Sequence, residues 1–345
     1  MGRRILALVL LIVGLGIAIM TPVLAFTPVG SNLANNLFPA PPTPTPTPIP
    51  PLPSPTPTPP PKPILTVEGT PPTVHAKSAY LLDADTGHTL DDFNGEVPLP
   101  MASTTKIMTA IIAIQAGNLD RLVTIHQDAP DEVNLNSGST AQLKVNDQIP
   151  LRYLLYGLLL PSGDDAAIAI ADAVAGSPTN FVNIMNITAY RLHLFQTHYI
   201  NPDGLTYKDA SGQPLPGNYT TTYDLIRLAQ YAMKLPLFAA IVKLSRYVLP
   251  ANAVHHAYTW ISTNDLLSPP PDTAGAAYTY TGATGIKTGY TNEAGYCLVF
   301  SATRAGHNLI GIVLFSSNTD YYQRFRDAKT LLNWGFGLPL KVPGP

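Results

Sequence analysis

Three short stretches of the chain hold residue types whose spacing could support acyl transfer. In Ser103-Thr104-Thr105-Lys106 a hydroxyl and an amine stand three residues apart, at the expected start of a helix. Residues at that spacing share one helix face. A serine hydroxyl is a weak nucleophile until a base takes its proton, and a lysine can do so if desolvation or a nearby cation lowers its pKa. The helix N-terminus adds backbone N–H groups suited to a developing oxyanion. Ser162-Gly163-Asp164 puts a second hydroxyl and a carboxylate on a connection between apolar segments. Lys287-Thr288-Gly289 offers a cation, a hydroxyl and unobstructed backbone on a strand edge. Taken singly, each has an ordinary structural reading: a helix cap with a solvated lysine, an N-cap for the Ala-rich segment that follows, and a surface strand with a turn glycine.

The surrounding pattern predicts the elements that must bring these stretches together. Ser78–Asp83 reads as a strand, Asp85-Thr86-Gly87 as a turn and His88–Phe93 as a returning strand. Apolar residues at helical spacing predict a helix over Ala102–Ala116, stopped by Gly117 and Asn118. Further helices are expected at Leu151–Leu160, Ala166–Ala175, Tyr223–Met233 and Tyr321–Trp334, and buried strands at Tyr296–Thr303 and Leu309–Phe315. Strands therefore sit at both ends and helices in the middle. The expected class is α+β, an antiparallel sheet built from N- and C-terminal strands and flanked by helices, with a helical lobe inserted between them.

In this order and at separations of 59 and 125 residues, the three motifs together form a signature that none has alone. The chain resembles the serine-type D-alanyl-D-alanine carboxypeptidases, the low-molecular-mass penicillin-binding proteins of serine β-lactamase/transpeptidase-like fold, across roughly Ser78 to Phe336. The likeness extends to Ala79–Asp83, Pro98–Ala102, Asn201-Pro202-Asp203-Gly204-Leu205 and Gly295-Tyr296. It implies Ser103 as nucleophile, Lys106 as proton acceptor and Ser162 as a proton relay to the leaving amine, helped by Lys287. It places the oxyanion between the backbone N–H groups of Ser103 and Tyr290, and the substrate carboxylate on Thr288, with Arg324 sharing that task. Gly289 and Asp164 complete the implied substrate site. No metal or organic cofactor is implied. The implied partners are D-Ala-D-Ala peptides of peptidoglycan, with β-lactams as covalent inhibitors of Ser103.

One departure stands out. The family pattern has Asn where this chain has Asp164, and a carboxylate accepts hydrogen bonds but donates none. Beside Lys106 or Lys287 it favours their charged forms, so activity is expected to be lower, or shifted to higher pH, than in an Asn version. A β-lactamase reading needs a glutamate after the second motif. The only glutamates are Glu68, Glu96, Glu132 and Glu293, none between Ser162 and Lys287, which argues against efficient penicillin hydrolysis. Alternatives with the same residues are a D,D-endopeptidase of wall cross-links or a low-activity wall-binding protein.

The chain has 345 residues with a net charge of −2, which excludes the basic stripe a nucleic-acid binder needs. Its one cysteine, Cys297, permits no intrachain disulfide and reads as a small core residue. Arg3 and Arg4 precede the apolar run Ile5–Met20 and Val23-Leu24-Ala25, so residues 1–26 are expected to be a signal peptide or a membrane anchor. Either places the remainder outside the cytoplasm, anchored to the membrane or secreted to the wall. Residues 27–73 read as a linker, with proline at 15 of the 25 positions from Pro39 to Pro63 and hence an extended polyproline stalk. The catalytic domain is expected over 74–337, followed by a tail at 338–345.

Overall fold

The computed structural model describes residues 63–269, 271 and 273–341. The N-terminal apolar segment and the proline stalk fall outside the described residues, as do the last four residues of the tail.

A five-stranded antiparallel sheet organises the domain. From one edge its strands are Ala283–Thr291, Gly295–Arg304, His307–Leu314, Ser78–Asp83 and Thr89–Phe93. The interior strand Ser78–Asp83 is buried at every position. Its alternate residues serve two different cores, as the period of two along a strand requires. Tyr80, Leu82, Val299, Ile310 and Ile312 face a large core filled by the helical lobe. Ala79, Leu81, Leu298, Phe300 and Val313 face a smaller core closed by Phe325, Ala328, Leu331 and Leu332 of the terminal helix Gln323–Gly335. The expected arrangement of a sheet between helices, with a lobe inserted between its N- and C-terminal strands, is what the chain adopts.

The lobe's helices include Lys106–Gln115, Asp128–Asn136, Leu151–Leu159, Asp164–Ala175, Pro178–Arg191 and Thr222–Met233. Residues Ala102–Thr105 form a 3-10 turn ahead of the Lys106–Gln115 helix, where a continuous α-helix was expected. The cause is local: Ala102 has φ 47°, so the chain enters the helix through a tight turn. A 3-10 turn has three residues per turn and eclipses residues i and i+3, which stacks Lys106 over Ser103 more closely than an α-helix would. The folded unit also reaches past the expected limits of 74 and 337, because Ile64–Leu65 pairs with Leu340–Lys341. Two-residue strands carry no periodicity for a sequence to reveal.

Candidate active site

Ser103 lies at the floor of a cleft of about 300 Å³ whose lining also includes Ser162, Asp164, Thr288, Gly289, Tyr290 and Arg324. Seven of the nine residues singled out in the sequence therefore meet on one surface, and the remaining two, Lys106 and Lys287, are sealed behind it at 0% and 1% exposure. Lys106 Nζ has three partners: Ser103 Oγ at 2.9 Å, Asp164 Oδ1 at 2.5 Å and the backbone carbonyl of Asp203 at 2.7 Å. Lys106 Nζ donates to all three. On losing a proton the amine can keep the bonds to Asp164 and the Asp203 carbonyl and turn its lone pair to the Ser103 hydroxyl, as proton transfer requires. The same arrangement holds the ammonium that results after proton transfer.

Two loops fix those partners. Asp164 opens its helix, and its second oxygen accepts the Ser139 N–H at 2.7 Å. Gly138 makes this wrap possible, since a Cβ there would stand 2.3 Å from Asp164 Oδ2. Asp165 accepts the N–H groups of Ala141 and Leu143 and the Thr140 hydroxyl, tying the same loop down. On the other side, Asn201 Oδ1 accepts the Gly204 N–H, and Asn218 Nδ2 donates to Asn201 and to Thr105. Gly204, at φ +95°, approaches so closely that a Cβ would lie 2.0 Å from the Ala102 carbonyl oxygen. This turn presents the Asp203 carbonyl to Lys106.

Behind Lys106 sits an acid cluster that sequence reasoning missed. Glu132, from the helix Asp128–Asn136, accepts from Asn136 Nδ2 at 3.0 Å and lies close enough to Asp203, Asp164 and Tyr207 to interact with their charges. Asp203 is fully buried, and its Oδ2 receives no N–H or hydroxyl donor. A buried carboxyl with acidic neighbours favours its neutral form. Burial pushes Asp203 up to about 8, with the Asp164 and Glu132 charges adding to it. Glu132 is raised by burial as well, and so is Asp164, against the pull of Lys106. The chain-order argument about glutamates thus gave no guide to place: Glu132 precedes the second motif yet folds next to Asp203 and Asp164. The only sequence signal was the Asn-Pro-Asp-Gly turn, which the resemblance covered without assigning it a role.

The strand side of the cleft is built differently. Ala283–Thr291 is an edge strand that packs against the 3-10 turn. Gly289 permits the contact, because a Cβ there would lie 3.1 Å from the Met101 carbonyl oxygen and 3.3 Å from Ser103 N. Thr288 Oγ1 hydrogen-bonds Thr263 Oγ1 at 2.5 Å, a partner no motif announced. Arg324, from the terminal helix, donates to the Gly289 carbonyl at 3.2 Å and stacks on Tyr321 and Tyr296. Its Nε has no partner among the described residues, and desolvation lowers its pKa. Ser162 sits at φ 67°, with its hydroxyl in no hydrogen bond among the described residues. Among the described residues Lys287 Nζ donates only to the Thr288 carbonyl, at 3.0 Å, and desolvation followed by Lys106 holds its pKa well below the usual lysine range. No hydrogen bond joins Lys287 to Ser162. Cys297 is a core residue whose thiol burial pushes up to about 11.

A base-backed serine beside an edge strand, in an α+β fold with an inserted helical lobe, defines a serine enzyme of acyl transfer. The family model described as D-alanyl-D-alanine carboxypeptidase matches residues 66–318, and the chain belongs to that family of serine-type, penicillin-binding cell-wall hydrolases. It is 39% identical over 281 residues to the D-alanyl-D-alanine carboxypeptidase of Streptomyces sp. strain K15, covering 78% of this chain and 90% of the relative. It is 33% identical to DacC of Escherichia coli, covering 79% of this chain and 63% of that longer protein. Among solved structures, the Streptomyces K15 DD-transpeptidase matches with TM-score 0.68 at 38% identity, covering 78% of this chain and all of that one. Penicillin binding protein 6B from Escherichia coli matches with TM-score 0.66 at 30% identity, covering 79% and 82%.

Proposed function

We propose that the protein removes the terminal D-alanine from peptidoglycan stem peptides through an acyl-enzyme on Ser103. Ser103 Oγ attacks the carbonyl between the two D-alanines while its proton passes to Lys106. The backbone N–H groups of Ser103 and Tyr290 receive the oxyanion. Collapse breaks the C–N bond, and the leaving amine takes the proton that Lys106 received, relayed through Ser162 with Lys287 assisting. Thr288, backed by Thr263, and Arg324 hold the terminal carboxylate. Water then hydrolyses the ester and returns the proton to Ser103. β-Lactams enter the same path and stall as acyl-enzymes. The observation that carries this reading is Lys106 Nζ at 2.9 Å from Ser103 Oγ, in a pocket closed to solvent.

The test is mass spectrometry of the protein incubated with a D-Ala-D-Ala peptide. Release of D-alanine, lost in Ser103→Ala together with labelling by a fluorescent penicillin, supports the reading. Absence of both labelling and release overturns it in favour of a wall-binding role. A second reading is transfer of the acyl group to another peptide's amine, since the Streptomyces K15 structure is described as a transpeptidase. The D-alanyl-D-alanine endopeptidase of Pseudomonas aeruginosa, 30% identical over 260 residues, keeps cross-link cleavage as a third outcome of the same assay. We further propose that the domain works outside the cytoplasmic membrane, tethered by residues 1–26 and held off by the proline stalk. A mature N-terminus at Phe26 in secreted protein would contradict the tether.

A further inference from the structure

The Ala283–Thr291 strand ends the sheet, and its outer edge has no partner strand. Such an edge can accept an extended peptide as an added strand. Its residues Thr288, Gly289 and Tyr290 line the Ser103 cleft. Just beyond, Tyr290, Thr291, Asn292 and Glu293 line a second cavity of about 390 Å³, whose other wall includes Leu205 and Lys208. The two cavities share Ser137, Leu205 and Tyr290, so they form one continuous groove.

The direction of a bound peptide in that groove follows from the proposed carboxylate site. With the terminal carboxylate at Thr288 and Arg324 and the scissile carbonyl at Ser103, upstream residues run past Tyr290 toward Glu293. The residue before the penultimate D-alanine, about 3.3 Å further along an extended chain, is then directed to the second cavity, which shares Ser137, Leu205 and Tyr290 with the first. In a stem peptide that residue is the diamino acid. The cavity's lining is polar, and its only charged members are Lys208 and Glu293. Neither forms an ion pair among the described residues, and none joins them to each other. One cation and one anion lining the same polar cavity, neither in an ion pair among the described residues, match a side chain that ends in both an amine and a carboxylate.

We propose that this cavity is a specificity subsite for the diamino acid of the stem peptide, and that it takes a diaminopimelate-type residue, with the amine toward Glu293 and the carboxylate toward Lys208, in preference to lysine. The inference rests on the carboxypeptidase reading above.

The experiment compares D-alanine release by the full-length protein from two pentapeptides that differ only in the third residue, meso-diaminopimelate or L-lysine. The wild type is expected to favour the diaminopimelate peptide by about tenfold in kcat/KM, the usual scale of one charge-assisted contact. Lys208→Met brings the ratio to near one by lowering only the diaminopimelate rate. Lys208→Glu inverts it by raising the rate on the lysine peptide, a gain that misfolding cannot produce. A wild-type ratio within about twofold of one, or a ratio untouched by both substitutions, overturns the subsite. Failure to release D-alanine from either peptide, while fluorescent penicillin still labels Ser103, brings down the carboxypeptidase reading and the subsite with it.

Discussion

The two sides of the Ser103 cleft differ in how completely they are satisfied. On the lobe side, Lys106 and Asp164 are buried, each oxygen of Asp164 has a donor, and Lys106 has three partners. On the strand side, Arg324 Nε has no partner among the described residues and Lys287 has a single carbonyl among them, and facing them the Ser162 hydroxyl of the lobe makes no hydrogen bond among those residues. Buried polar groups are normally paired, so unfinished groups around a cleft mark where a ligand completes them. The lobe side has the geometry to make the nucleophile before substrate arrives. The strand side waits for a carboxylate and a leaving group.

That contrast predicts opposite responses to removing the two lysines. Lys106→Met should lower penicillin acylation by about 10³-fold or more, as loss of a positioned base does. It should also cost about 3–5 kcal/mol of stability, because Asp164 is left as a buried charge without its cation. Lys287→Met should abolish D-alanine release yet leave the protein as stable or more so, since this buried amine has no carboxylate partner. Denaturant unfolding of both variants checks the contrast, and equal destabilisation would break it. Next in size, Arg324→Leu should lower kcat/KM for a D-Ala-D-Ala peptide by about ten- to a hundredfold, the scale of one hydrogen bond to a charged group. Amidating the peptide's terminal carboxylate should have little effect on that variant, measured in the same assay.

A separate effect concerns pH and stability. Asp203 is raised from an ordinary carboxylate value to about 8, so the folded state binds its proton more tightly than the unfolded state does. The stability this contributes is present below the unfolded pKa and is lost as pH rises through about 8. Unfolding free energy should therefore fall between about pH 4 and 8, and Asp203→Asn, which keeps a neutral polar group there, should flatten the slope. A slope unchanged in that variant would place that proton elsewhere.

The sequence carried the strand-facing residues well because each lies in a contiguous motif. Lys287, Thr288 and Gly289 share one strand, and the four sheet strands given spans in advance agree with the structure to within two residues or so. The partners of Lys106 were less legible. Asp164 was expected near a lysine, but Asp203 lies 97 residues from Lys106 and contributes a backbone carbonyl, which no side-chain pattern encodes. Glu132 was discounted by its position in the chain, although chain order does not determine proximity when loops fold back. Thr263 follows a short strand, Tyr258–Ile261, with no motif around it. The 3-10 turn under Ser103 was hidden because helical spacing looks alike for a 3-10 and an α start.

The central claim is that the buried Lys106–Asp164 pair controls activation of Ser103. The direct measurement is the rate of Ser103 acylation by a fluorescent penicillin from pH 5 to 10, for the wild type and Asp164→Asn. A carboxylate beside Lys106 favours its charged form, so removing that charge should move the rising limb of the profile to lower pH by about one to three units. The height of the plateau is a separate matter, because Asn can accept from only one of the two donors that Asp164 now serves. An unchanged rising limb would show that Asp164 does not govern the proton on Lys106, and would contradict the account.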